Sequence, residues 1–332
     1  MRCTSLNPRV EVLLSRVLAA LRPVLIAYMV TNAMTLAPGV EDALSFCNVL
    51  FVGNLCAALV LITWFRPGPI FSDLRQLPRM IQLTLLIDGG LAALTSGLIF
   101  TGLTYTSSTN AILLGRLAPV LYALSGALIF GRTIARQEWF GFSFIIAGTL
   151  VVALIGGDGT INRGDALILA STVVFAISSI LGKAVLNQNV TLKSLVFIRN
   201  ASSSIIFFII ANIVYGPHHF ADAFYGRLWI LMGIYALIVI VIAQLLWFDA
   251  THKLDSISLG RWATPAPAIG VLAAGLLNRQ WPSDSQVSGL IIIMIGVVIT
   301  ALSPSTKQQP SQNKQRIAEL TLNASDAASP VT

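Results

Sequence analysis

Charge is scarce in this chain. Only 11% of its 332 residues are Asp, Glu, Lys or Arg, against about 25% in a soluble globular domain, and that excludes an ordinary water-soluble fold. Cysteine is scarcer still. Cys3, Cys47 and Cys56 are odd in number and lack metal-ligand spacing, so neither a disulfide framework nor a zinc site is implied. The 3 histidines and the scattered acids form no cluster of the kind an integral membrane enzyme uses on lipid substrates. That enzyme class therefore stands behind a carrier. The loop Gly-x-x-x-x-Gly-Lys-Ser/Thr is absent, which argues against ATP-driven transport within this chain. No cofactor and no metal are called for.

What is abundant is hydrophobicity, at 55% of residues with a mean hydropathy of +0.80. Crossing the hydrocarbon core of a bilayer takes about 20 apolar residues per helix. Ten charge-poor stretches have that length: 23–40, 43–65, 80–103, 109–130, 138–156, 166–187, 194–215, 228–250, 257–277 and 285–302. They are continuously apolar rather than alternating, so helices are expected and a barrel is not. The expected fold is an all-α polytopic membrane protein of ten transmembrane helices.

Lysine and arginine fix the expected orientation, since cationic loops stay cytoplasmic. With the amino terminus inside, cytoplasmic segments hold 15 cations, among them Arg2, Arg9, Arg16 and Arg22. Outer loops hold Arg163, Arg227 and Arg279, and Arg116, Arg199 and Arg261 fall inside spans. Both termini are expected in the cytoplasm, with the chain in the cell inner membrane. The formal charge of +7 is spread over loops rather than gathered in one patch, so no nucleic-acid partner is implied. The expected partners are a small-molecule solute and the lipid bilayer. A homodimer is compatible with the sequence, which does not fix the oligomeric state. His218-His219 beside Pro217 reads as a solvated turn sooner than as a two-ligand metal site.

The chain repeats itself. Leu114-Gly115-Arg116 recurs as Leu259-Gly260-Arg261, and the same offset of 145 aligns Thr106 with Thr251 and Ile112 with Ile257. Downstream, Gly141 and Gly148 correspond to Gly289 and Gly296, with equal spacing in both copies. Such a period indicates duplication. Five spans per half is an odd number, so the halves are expected to insert upside down relative to each other, the inverted repeat of many secondary transporters. The expected organisation is a cytoplasmic segment 1–16, a first five-helix repeat 17–156, a second 157–302, and a disordered cytoplasmic tail 303–332, rich in Ser, Gln, Asn, Ala and Thr.

Thr104-Tyr105-Thr106, Ala111-Ile112-Leu113-Leu114, Pro119, Gly131, and Gln137-Glu138-Trp139-Phe140-Gly141 with Gly148 resemble the EamA domain of the drug/metabolite transporter superfamily. A weaker second copy runs from Ser256 to Gly296, and Gly164-Asp165 with Lys183 resembles the start of that family's second domain. The resemblance implies a carrier fold over nearly the whole chain. One departure stands out: where such domains commonly carry an acid after the glycine that ends the fourth helix, this chain has Arg132, and Arg279 in the second copy.

Ionised groups at membrane depth are costly, so each is a functional candidate. Arg116 and Arg261 are expected to face a central cavity and attract a carboxylate or phosphate, because the guanidinium fork suits bidentate contact. The competing reading is that they snorkel to the interface, or that Arg261 pairs with Asp249 or Asp255. Asp88 and Arg199 are the candidates for ion coupling, a fixed ion pair between Asp88 and Arg199 or Arg261 being the alternative. Pro119, Pro265 and Pro267 are expected to interrupt helices 4 and 9, and paired interruptions point to a binding site. Tyr122, Gln244 and Trp262 are the expected lining residues, ahead of Tyr28, Asn32, Trp64, Tyr105, Tyr235 and Trp247.

The function expected from these features is a secondary transporter moving a small metabolite, amino-acid-like or drug-like solute by alternating access. A nucleotide-sugar or organophosphate antiporter is the related alternative, with the arginines as phosphate contacts.

Overall fold

The computed structural model describes residues 6–36, 45–130, 133–155, 161–188, 190–216, 224–254, 256–263 and 265–303. Among them there is helix and no strand. In chain order the elements are α1 (Pro8–Thr31), α2 (Ala33–Leu36), α3 (Phe46–Phe65), α4 (Pro67–Gln76), α5 (Arg79–Leu103), α6 (Ser108–Leu114), α7 (Leu117–Phe130) and α8 (Arg136–Leu150). There follow α9 (Arg163–Leu186), α10 (Leu192–Tyr215), α11 (Gly226–Tyr235), α12 (Ala243–Lys253), α13 (Ser256–Ala263), α14 (Ala266–Asn278) and α15 (Asp284–Ala301). A π-helical turn, Val151–Ile155, extends α8, and another, Ala236–Ile242, joins α11 to α12 into one rod.

Local sequence accounts for six of the helix starts. Asn7, Ser45, Ser107, Asn162, Thr191 and Ser283 each accept a hydrogen bond from a first-turn N–H, and Ser283 with Gln286 forms a reciprocal capping box. Among the described residues, seven helices are long and apolar enough to cross a membrane: Cys47–Phe65, Arg79–Leu103, Arg136–Ile155, Arg163–Leu186, Leu192–Val214, Gly226–Lys253 and Asp284–Ala301. Their outer faces carry exposed large apolar side chains such as Leu83, Leu86, Ile87, Ile205, Ile209 and Ile291. Lipid is the solvent that suits such faces, and the molecule is a multi-pass membrane protein.

Two expectations change. The first span was placed at 23–40, but α1 begins at Pro8, so Arg16 and Arg22 lie within a helix rather than in a cytoplasmic segment. Apolar residues surround them at helical spacing, and only their charge made the stretch read as a loop. The Arg66-Pro67-Gly68-Pro69 turn, in its turn, opens a short amphipathic helix, α4: Arg66 turns the chain at φ 64° and Pro67 sits at the first helical position, where its missing N–H costs nothing.

Packing relies on small residues. α8 and α15 lie together along most of their lengths, with Gly141 against Gly296 and Gly148 against Gly289. The residue number rises along one helix as it falls along the other, so the two run antiparallel. A methyl group on Gly148 would come within 2.7 Å of the Gly289 carbonyl oxygen, and one on Gly296 within 2.6 Å of that of Gly141; only glycine permits this approach. α5 packs on α9 and α10, α1 on α12, α13 and α14, α3 on α10 and α11, and α9 on α7.

Candidate functional site

Where α1, α5, α9 and the break between α6 and α7 meet lies a partly open cavity of about 160 Å³. The break has a backbone cause. Pro119 has no N–H to bond the Gly115 carbonyl, and Gly115 and Arg116 form a turn between α6 and α7. That turn sets Arg116 on the cavity wall, where its Nε donates to the Ile112 carbonyl at 3.3 Å.

Two further arginines share the cavity. Arg16 and Arg22, from α1, line it with Arg116, Thr95, Ile99, Ser171, Thr172 and Phe175. The Arg16 guanidinium carbon lies 3.5 Å from the centre of the Trp247 ring and 5.6 Å from that of Phe175, a cation held over aromatic faces. Arg22 Nη2 donates to Ser96 Oγ at 2.8 Å. Among the described residues no acid forms an ion pair with these groups; the ion pairs there include Lys193–Asp73, Arg199–Asp88, Lys253–Glu11 and Lys253–Asp249. A smaller adjoining cavity shares Arg16, Ala118 and Phe175 and extends past Tyr122, Trp247, Leu259 and Gly260. Tyr122 and Trp247 meet there edge to face at 6.5 Å.

The residues singled out from the sequence thus divide. Arg116 and Tyr122 come together across the two cavities. The Arg261 and Pro119 side chains lie outside the described residues, as do His218, His219 and 304–332. Gln244 lines neither cavity; its Oε1 accepts from Asn200 Nδ2 at 3.0 Å. Trp262 lies beneath Arg9, 5.8 Å from the guanidinium carbon. Pro265 caps α14 and Pro267 sits in its first turn, so a second break separates α13 from α14.

Asp88 and Arg199 stand apart from the cavities as a buried pair, with Arg199 Nη1 at 2.7 and 2.6 Å from the two carboxylate oxygens. Ser178 Oγ donates to Asp88 Oδ1 at 2.6 Å. The pair joins α5 to α10, with α9 closing the third side. Among the described residues no group of three His, Cys, Asp or Glu is arranged to hold a metal ion.

Sequence reasoning missed Arg16 and Arg22 as cavity residues. The available signal was their setting: Val17, Leu18, Ala19, Ala20 and Leu21 run unbroken between them, which suits a helix and not a loop.

A polytopic helical bundle with broken helices beside an arginine-lined cavity has an architecture that membrane transporters use. Relatives specify which. The EamA-like transporter family model matches residues 12–154 and again 162–302, and the chain belongs to that family. It is 30% identical over 269 residues to Uncharacterized transporter sll1164 of Synechocystis sp., covering 78% of this chain and 77% of that one. It is 25% identical over 258 residues to Uncharacterized transporter YxxF of Bacillus subtilis, covering 76% of this chain and 80% of the relative. A solved crystal structure superposes with a TM-score of 0.57 at 17% identity, covering 87% of this chain and 98% of its own; that likeness is one of fold. The family match and these names support a membrane transporter.

Proposed function

We propose that this chain is a secondary carrier for a small organic anion, working by alternating access between two inverted five-helix repeats. One observation carries the solute class: Arg16, Arg22 and Arg116 face one cavity and no carboxylate among the described residues pairs with them. Guanidiniums withdrawn from bulk water without a counter-ion are costly, and a bound anion offsets that cost.

The packing supports the repeat. The seven long apolar helices, together with α1 and the two broken rods α6–α7 and α13–α14, make ten crossings. If the halves are exchanged, α1 takes the place of α9, α3 of α10, α5 of the α11–α12 rod, and α8 of α15. The principal contacts map onto one another under that exchange: α1 on α12 matches α9 on α5, and α3 on α11 matches α10 on α5. The antiparallel α8–α15 pair fits two halves that end on opposite sides. Without Arg16 and Arg22, loop cations still number about 13 against 3 under the positive-inside rule, so we place both termini in the cytoplasm of the inner membrane.

The cavity also favours a small solute over a nucleotide-sugar, since a space of about 150 Å³ holds a benzene-sized molecule. Purified protein in proteoliposomes, screened by counterflow against anionic, zwitterionic, cationic and neutral solutes, tests the function. Anions should exchange, and Arg116→Gln should abolish exchange without loss of folded protein. Exchange of cations or neutral solutes alone would contradict the reading.

A further inference from the structure

Resting on the anion-carrier reading, we propose that the solute is a compact dianion, a dicarboxylate or a phosphate monoester, whose two charges are shared among Arg16, Arg22 and Arg116. The argument begins with charge. What the protein supplies to these guanidiniums is neutral: the Ser96 hydroxyl for Arg22, the Ile112 carbonyl for Arg116, and the faces of Trp247 and Phe175 for Arg16. These contacts orient the cations and leave their charge standing. A monoanion would leave two of the three uncompensated among partly buried groups, where like charges repel more strongly than in bulk water. A dianion leaves one, and it bridges separate guanidiniums at once.

The hydrogen-bond inventory points the same way. The hydroxyls of Thr95, Ser171 and Thr172 face this region but donate to carbonyls of their own helices, at 2.8, 2.6 and 2.9 Å. Among the side chains lining the larger cavity, the donors left for a ligand are therefore the guanidinium N–H groups. Nε of Arg16 and Nε of Arg22 are both buried without a hydrogen-bond partner. Recognition is by charge-bearing forks, which match the oxygen pairs of carboxylate and phosphate alike. The 160 Å³ cavity suits a dianion of about the size of benzene.

Two series of stepwise-neutralised analogues, the first of them nearly isosteric, measured by calorimetry on the purified full-length protein at constant ionic strength, test this. One is succinate, succinamate and succinamide; the other is methyl phosphate, dimethyl phosphate and trimethyl phosphate. In at least one series the dianion should bind about tenfold or more tighter than the monoanion, one charged hydrogen bond's worth, and the neutral member weakest. The series that responds identifies the head group as carboxylate or phosphate. Arg22→Gln should narrow the dianion-to-monoanion ratio, and size-exclusion profiles of each variant show that it is folded. Equal binding of dianion and monoanion, with both weakened by Arg116→Gln, overturns the dianion and leaves the anion carrier standing. Binding of the neutral members as tight as that of the charged ones, or of no member at all, overturns both.

Discussion

The Arg16 guanidinium stands over the Trp247 ring, 3.5 Å from its centre, so a cation on α1 is oriented by an aromatic on α12. The two helices belong to different halves of the chain, and anion binding at Arg16 therefore touches both. Trp247→Leu should remove the platform and weaken anion binding by about 2- to 30-fold, the range of a cation–π contact. Arg16→Gln should cost more, because it removes the charge itself. Titrations of both variants check the order; Trp247→Leu binding like wild type would show that the ring does not orient the cation.

Gly148 and Gly289 hold α8 against α15. On Gly148→Ala, the new methyl would meet the Gly289 carbonyl oxygen at 2.7 Å and the Ile293 nitrogen at 2.9 Å, both backbone atoms that cannot swing away. A loss of about 1–3 kcal/mol is expected, read as a lowered unfolding midpoint in detergent. Gly90→Ala is the control, since nothing lies within 4 Å of a methyl group there. It should leave the midpoint unchanged or raised.

Breaking the Asp88–Arg199 pair should destabilise the bundle rather than merely change its pH response. Asp88→Asn leaves the Arg199 guanidinium buried without its counter-ion, a loss of about 3–5 kcal/mol. Asp88→Asn combined with Arg199→Met should recover most of it. Thermal unfolding of the single and double variants decides. A fully stable Asp88→Asn protein that no longer responds to an imposed pH gradient would give this carboxylate the coupling role instead.

Most crossings were legible because their apolar runs are continuous: α5 was expected at 80–103 and spans Arg79–Leu103, and α15 was expected at 285–302 and spans Asp284–Ala301. α1 was not, because its cavity-facing arginines lower the hydropathy of a helix whose charge is directed inward. The break at Gly115–Arg116 was half visible. Pro119 announced an interruption, but the Gly115 carbonyl it cannot bond is a turn earlier and accepts from the Ala118 N–H at 3.2 Å instead, and that is where the chain bends. Arg116 was singled out by its charge at membrane depth and Tyr122 by its aromatic, hydrogen-bonding side chain, and each lines one of the two cavities. The contact between Arg16 and Trp247 could not be read from the sequence, since it depends on how α1 docks against α12 from the other half. Gln244 has the polarity of a lining residue, yet its carbonyl oxygen is engaged by Asn200, a pairing between α10 and α12 that no local pattern reveals.

The most direct test of alternating access at the arginine cavity is thiol accessibility at Ala118, which lines both the larger and the smaller cavity. With Cys3, Cys47 and Cys56 replaced by serine, Ala118→Cys should react with a membrane-impermeant thiol reagent from either side of oriented vesicles, and a transported anion should slow the reaction on both. Reaction from one side only, or rates indifferent to every anion that binds, would contradict the account.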